Sequence, residues 1–146
     1  MKDIPKIFVT ILVYLLLCSQ NKIERTKFQW EKQCLLSKKF EMMLPSPFHR
    51  QIDAYGEGVL YIYSFPDTAY VIVHEGYLLE LPFDSYCPQI IDETNIKHKK
   101  KFGFKDNKYW RKDVVDGVNI YYGNVSVNNK IVYDSLLNSV KITTLN

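Results

Sequence analysis

At 146 residues the chain is the size of one domain, long enough for a hydrophobic core and too short for two independent ones. Hydrophobic residues make up 47% and charged residues 24%, which excludes a disordered or fibrous chain, and a net charge of +3 is too mild to specify a polyanionic partner. Eleven Tyr, eight Phe and two Trp suit a sheet-rich domain, because flat rings pack well on a pleated surface.

The first element is the apolar run from Ile7 to Leu17, which carries no charge, has Thr10 and Tyr14 as its polar residues, and follows Lys2 and Lys6. As a helix its eleven residues would span about 16 Å, roughly half of a ~30 Å hydrocarbon core, too little to cross a bilayer comfortably. Length and basic flank match the n-region and h-region of a secretory signal peptide. A buried N-terminal core element and an uncleaved anchor are the alternatives. The run stops at Leu15-Leu16-Leu17-Cys18, which resembles the lipobox of bacterial lipoproteins, whose cysteine is diacylated and becomes the N-terminus after cleavage. Leu17 stands where that family usually has a small residue. The resemblance implies a signal peptide over 1–17, lipidation of Cys18, and a location in the bacterial cell envelope, on a membrane leaflet. Acyl chains contribute ~0.8 kcal/mol per buried methylene, enough for several of them to hold a protein without a span.

Residues 18–36 are polar and mixed in charge, and read as a tether; Ile23, Trp30 and Cys34 would also suit one weakly amphipathic helix. A single globular α+β domain is expected over 37–146. Phe40, Met42 and Leu44 alternate with Glu41 and Met43 up to Pro45 and Pro47, which terminate the run, and this reads as a first strand. Val59 to Phe65 and Ala69 to His74, split by Pro66-Asp67-Thr68, read as a hairpin. Tyr77 to Leu81 would continue the sheet, and a short helix would begin after Asp84 or Ser85. Tyr109 to Val115 and Val118 to Val125 flank Asp116-Gly117, a second hairpin. Asn128 would then cap a helix placing Tyr133, Leu136, Leu137 and Val140 on one face, and Val140 to Leu145 would close as a strand. The sum is a mostly antiparallel sheet of about six strands with a C-terminal helix packed on one face.

The corner FEMMLPSPF, the two hairpins and the ending NIYYGNVSVNNKIVYDSLLNSVKI are similar to the PsbP/Mog1-like fold over about residues 37 to 143. The similarity is one of topology. It implies an accessory or binding role, since that family shares no catalytic site, and it carries over no functional residues.

Residue chemistry gives little else. His49, His74 and His98 lack helical metal-site spacing, and the cysteines lack a CxxC pair, so a metal or hydrolytic site would have to assemble in space, with His49, Asp53 and His74 as the candidate set. Neither a GxSxG elbow nor a phosphate-binding glycine loop is present, and no catalytic residue, cofactor or metal is expected. Export would permit a disulfide between Cys34 and Cys87, closing a 54-residue loop and stabilising the fold by about 4 kcal/mol; two buried thiols are the alternative. Lys97, Lys99, Lys100, Lys101, Lys105, Lys108, Arg111 and Lys112 interleave with Phe102, Phe104, Tyr109 and Trp110. Such a pattern suits single-stranded nucleic acid in a cytoplasmic protein, but the export signal argues against a nucleic-acid partner and leaves anionic lipid, acidic glycan or a plain solvated strand. Asp67-Thr68-Ala69 and Asp134-Ser135-Leu136 resemble short bacterial O-glycosylation sites, and Asn124-Val125-Ser126 fits a eukaryotic N-glycan acceptor that the lipobox reading makes irrelevant. The function expected is that of an envelope lipoprotein working by binding or assembly, with a protein or glycan partner and an immunity-like role among the options. A small exported enzyme with a site built from dispersed histidines and carboxylates is the second class.

Overall fold

In the computed structural model, which describes residues 27–76, 90–95 and 98–145, strands account for most of the chain. In order they are β1 (Lys27–Cys34), β2 (Lys38–Ser46), β3 (His49–Tyr55), β4 (Gly58–Ser64), β5 (Tyr70–Gly76), β6 (Ile90–Asn95), β7 (His98–Lys105), β8 (Lys108–Val115), β9 (Val118–Ser126) and β10 (Lys141–Thr144). Between β9 and β10 stands α1 (Lys130–Asn138), preceded by one 3-10 turn over Val127–Asn129. Among the described residues no helix is long and apolar enough to cross a membrane.

Two antiparallel sheets result, one of three strands ordered β1-β2-β10 and one of seven ordered β3-β4-β5-β9-β8-β7-β6. Turn chemistry explains the meander. Asp116 and Gly117 both take positive φ (48° and 81°), as do Asp106 and Asn107 (51° and 60°), the left-handed pair that a two-residue hairpin of natural twist needs. At the β4–β5 turn Thr68 takes a φ of 69°, its N–H donates to the Phe65 carbonyl, and the Asp67 carboxylate accepts from the Ala69 N–H. β2 ends at a cis Ser46-Pro47 bond, and β3 begins two residues later in the other sheet.

The core lies between the large sheet and a cover made of the small sheet and α1. Phe40, Met42 and Leu44, alternate residues of β2, are fully buried. They share one cluster with Tyr61 and Tyr63 of β4, Val71 and Val73 of β5, Ile120 and Tyr122 of β9, and Tyr133, Leu136 and Leu137 of α1. Ser139 ties the cover together, its hydroxyl accepting from the Met43 N–H and donating to the Leu136 carbonyl. A register shift between β8 and β9 lets Tyr122 and Val125, three residues apart, both enter the core.

The strand count corrects the expectation of about six. β1, β3 and β6 stand where no strand is expected, and all three are sheet edges. All seven residues of β3 are exposed, so no face is selected to be apolar and no alternation is written into the sequence. The tether expected over residues 18–36 gives way at Lys27, where β1 pairs along its whole length with β2, as a strand and not as the alternative helix. Asn128 does not cap the helix; α1 starts at Lys130, and the side chain of the N-cap Asn129 instead donates to Asp67. The expectations for Tyr77 to Leu81 and for a helix after Asp84 or Ser85 lie outside the described residues.

Candidate functional site

Among the described residues, a dense polar constellation sits where the large sheet runs out from under α1. In the β7–β8 hairpin, register places Phe102 opposite Arg111, Lys100 opposite Asp113 and Phe104 opposite Tyr109. These residues face the helix, while Gly103, Trp110, Lys101 and Lys112 face the other way. The basic stretch read from the sequence is therefore two surfaces rather than one.

Arg111 and Asp113 are buried, with Asp113 wholly removed from solvent. They bond in fork geometry, Nε to Oδ1 and Nη2 to Oδ2, each at 2.7 Å. Nη2 also donates to the Asn138 side-chain oxygen at 2.8 Å, and Nη1 to the Asp134 carboxylate at 3.3 Å and its backbone carbonyl at 3.4 Å. Asp134 accepts from Tyr122 at 2.8 Å and from Lys130, one helical turn back. Burial alone would raise the Asp134 carboxyl, but the Lys130 and Tyr122 hydrogen bonds and the nearby Arg111 charge outweigh it and hold it below the usual carboxylate range. Five hydrogen bonds thus match the five N–H donors of the guanidinium. Arg111 is a latch between β8 and α1, with no donor left for a substrate.

Outside that latch an open groove of about 230 Å³ is lined by Lys100, Phe102, Arg111, Lys130, Asp134 and Asn138. Its wall continues in aromatic rings: Phe104, 48% exposed, lies 4.6 Å between centroids from Tyr109, whose ring also meets Lys130 Nζ at 5.3 Å. A second groove, of about 410 Å³, opens at the end of the small sheet over Tyr61 and Phe40, with Lys32, Cys34 and Lys39 on its rim.

The candidate set His49, Asp53 and His74 is not brought together as a site. His49 and Asp53 lie on exposed β3, four residues apart. Leu60 stands between Asp53 and His74 in the cross-strand row, which puts the two about 10 Å apart at ordinary strand spacing. Among the described residues no group of three His, Cys, Asp or Glu is placed to hold a metal ion. His74 is fully buried, its Nε2 bonded to the Tyr55 hydroxyl and its Nδ1 without a hydrogen-bond partner. Burial lowers its pKa below 6.5, Lys112 adds to this, and Glu75 opposes it. Tyr55 reaches His74 by lying across Gly58, where a Cβ would come within 2.5 Å of its ring, and the two rings stack at 6.1 Å.

Cys34 is exposed on β1, not a buried thiol, and its carbonyl accepts from Tyr61. Cys18, Cys87 and the side chain of His98 lie outside the described residues. Thr68 is exposed but holds the Asn124 side chain at 2.9 Å, and Ser135 is exposed on α1.

Sequence reading missed the latch. Its signal is the pair Arg111 and Asp113 two apart in a strand, which fits a solvated face equally well; only the helix lowered onto that face makes it a buried network. No family model, curated protein or solved structure matches this chain.

Proposed function

We propose that this protein is a lipoprotein of the bacterial envelope, tethered through Cys18, whose domain binds a protein or glycan carrying anionic groups in the groove between α1 and β7. The observation that carries the binding half of this reading is the pairing of cations with reachable rings there. Lys100 and Lys130, the latter also bonded to Asp134, line the groove with Phe102, and half-exposed Phe104 extends the wall. Carboxylates on a sugar or an acidic loop would meet the ammonium groups while the apolar ring faces stack on the aromatic wall. The likeness of the closing helix and strand to the PsbP/Mog1-like proteins supports an accessory role over catalysis. The apolar run ending at Cys18 supports the tether.

Two experiments test the halves separately. Fractionation of cells carrying Cys18→Ser is expected to move the protein from the membrane to the soluble fraction; an unchanged distribution sinks the tether. Crosslinking and pull-down from native membranes is expected to capture a partner that Lys100→Glu and Phe104→Ala each lose, with capture weakening as salt shortens the Debye length below ~8 Å. Equal capture by both variants excludes this groove.

A further inference from the structure

We infer that the outer face of the small sheet is a membrane-docking surface, which seats the domain on the anionic leaflet to which Cys18 ties it. The inference rests on the tether proposed above. Side chains alternate along β1, and the register with β2 places Phe28 opposite Pro45, Trp30 opposite Met43 and Lys32 opposite Glu41, all on the side away from the core residues Phe40, Met42 and Leu44. Phe28 and Trp30 are 48% and 49% exposed, an unusual state for two large rings two residues apart.

Three features commit this face to a bilayer rather than to another protein. The first is chain connectivity: β1 begins at Lys27, and the nine residues after Cys18 that end there reach roughly 30 Å at full extension, so the rings of β1 stay close to the point of attachment. The second is residue type. Trp beside Lys is the pairing that suits the headgroup layer, and Lys141 Nζ sits 5.5 Å from the centre of the Trp30 ring. The third is charge. Lys32, Lys39 and Lys141 share the face with Glu41 as their acidic neighbour, an excess of cations that complements anionic phospholipid. On this geometry the domain lies with β1 down and its rings at the boundary between headgroups and acyl chains. The groove beside α1, on the other element of the cover, is then held at a set orientation to the leaflet.

The test is fluorescence quenching of the full-length chain in vesicles of phosphatidylethanolamine and phosphatidylglycerol with brominated acyl chains. Trp30 emission is expected to be lost on transfer from unbrominated to brominated vesicles, and the loss is expected to vanish in Trp30→Phe, because Trp110 is buried in the domain. Lys32→Gln and Lys39→Gln are each expected to weaken docking about fivefold, the effect of losing one surface cation. Quenching that persists in Trp30→Phe, or Trp30 emission unchanged in vesicle-held protein, overturns the inference while leaving the tether intact. Repeating the measurement with Cys18→Ser separates the two readings: salt-reversible quenching of Trp30 in that chain supports the docking face whatever Cys18 carries, and its absence at low salt counts against the face.

Discussion

The inner face of the seven-stranded sheet is covered in two chemically opposite ways. Under the small sheet its centre is apolar, with Phe40 edge-on to Tyr61 at 5.4 Å and Met42 and Leu44 in the same cluster as Tyr63, and the ionic contacts of Glu31 and Glu75 stand at its margins. Under the outer side of α1 it is ionic, with Arg111 clamped between Asp113, Asp134 and Asn138. Apolar packing gives stability without direction, because burial energy scales with area. The ionic cover gives direction: three of the five hydrogen bonds on one guanidinium reach the nine-residue helix and set its position on the sheet, the other two holding the guanidinium on Asp113, while desolvating the charges offsets much of the gain.

Breaking each cover in turn separates the two. Asp113→Ala leaves a buried guanidinium short of its main partner and is expected to lower unfolding free energy by about 3–5 kcal/mol in urea melts. The double change Arg111→Met with Asp113→Leu is expected to recover most of that loss, which an essential ion pair would not allow. On the apolar side Met42→Ala is expected to cost about 2–5 kcal/mol, read in the same melts. Gly103→Ala, whose Cβ would come within 2.6 Å of the Trp110 ring, probes the opposite face of the sheet by overpacking, with an expected loss of about 1–3 kcal/mol. Tyr133→Phe removes a 3.0 Å bond to Asp67 while keeping the ring in the core, so about 1 kcal/mol is expected.

Acid should act on both sides. His74 is held below its ordinary 6.5, so its contribution is full above that pH and is lost as pH falls toward its folded value. Burial would raise Glu75, but hydrogen bonds from Ser37 and Lys38 outweigh it and lower it below 4.5, as Asp134 is lowered below 3.8. Both carboxylates therefore stabilise the fold above their unfolded values and cease to as pH falls through the folded ones. Stability is expected to fall in two stages on acidification. His74→Gln should remove the stage just below 6.5, and Asp134→Asn should shrink the carboxylate stage at lower pH while leaving the share of Glu75. Melting temperature against pH for the two variants checks this.

Sequence alone determined the elements marked by a local period or by turn residues. The alternation of Phe40, Met42 and Leu44, the β4–β5 hairpin around Pro66-Asp67-Thr68, the Asp116-Gly117 turn, and the spacing of Tyr133, Leu136 and Leu137 each state their geometry locally, because one-sided burial imposes a period and a tight turn demands particular residues, whereas Val140, read as the fourth residue of that helical face, lies past the helix end at Asn138. The tertiary structure decided the rest. β3 and β1 expose apolar and polar residues alike and become strands only through a neighbour's backbone, so edge pairing left no trace in the pattern. Arg111 and Asp113 became a latch only once α1 packed over them, and Phe28 and Trp30 became a face only once β2 and β10 fixed which side of β1 looks outward. Local periodicity records what a residue is buried against; it does not record which distant element does the burying.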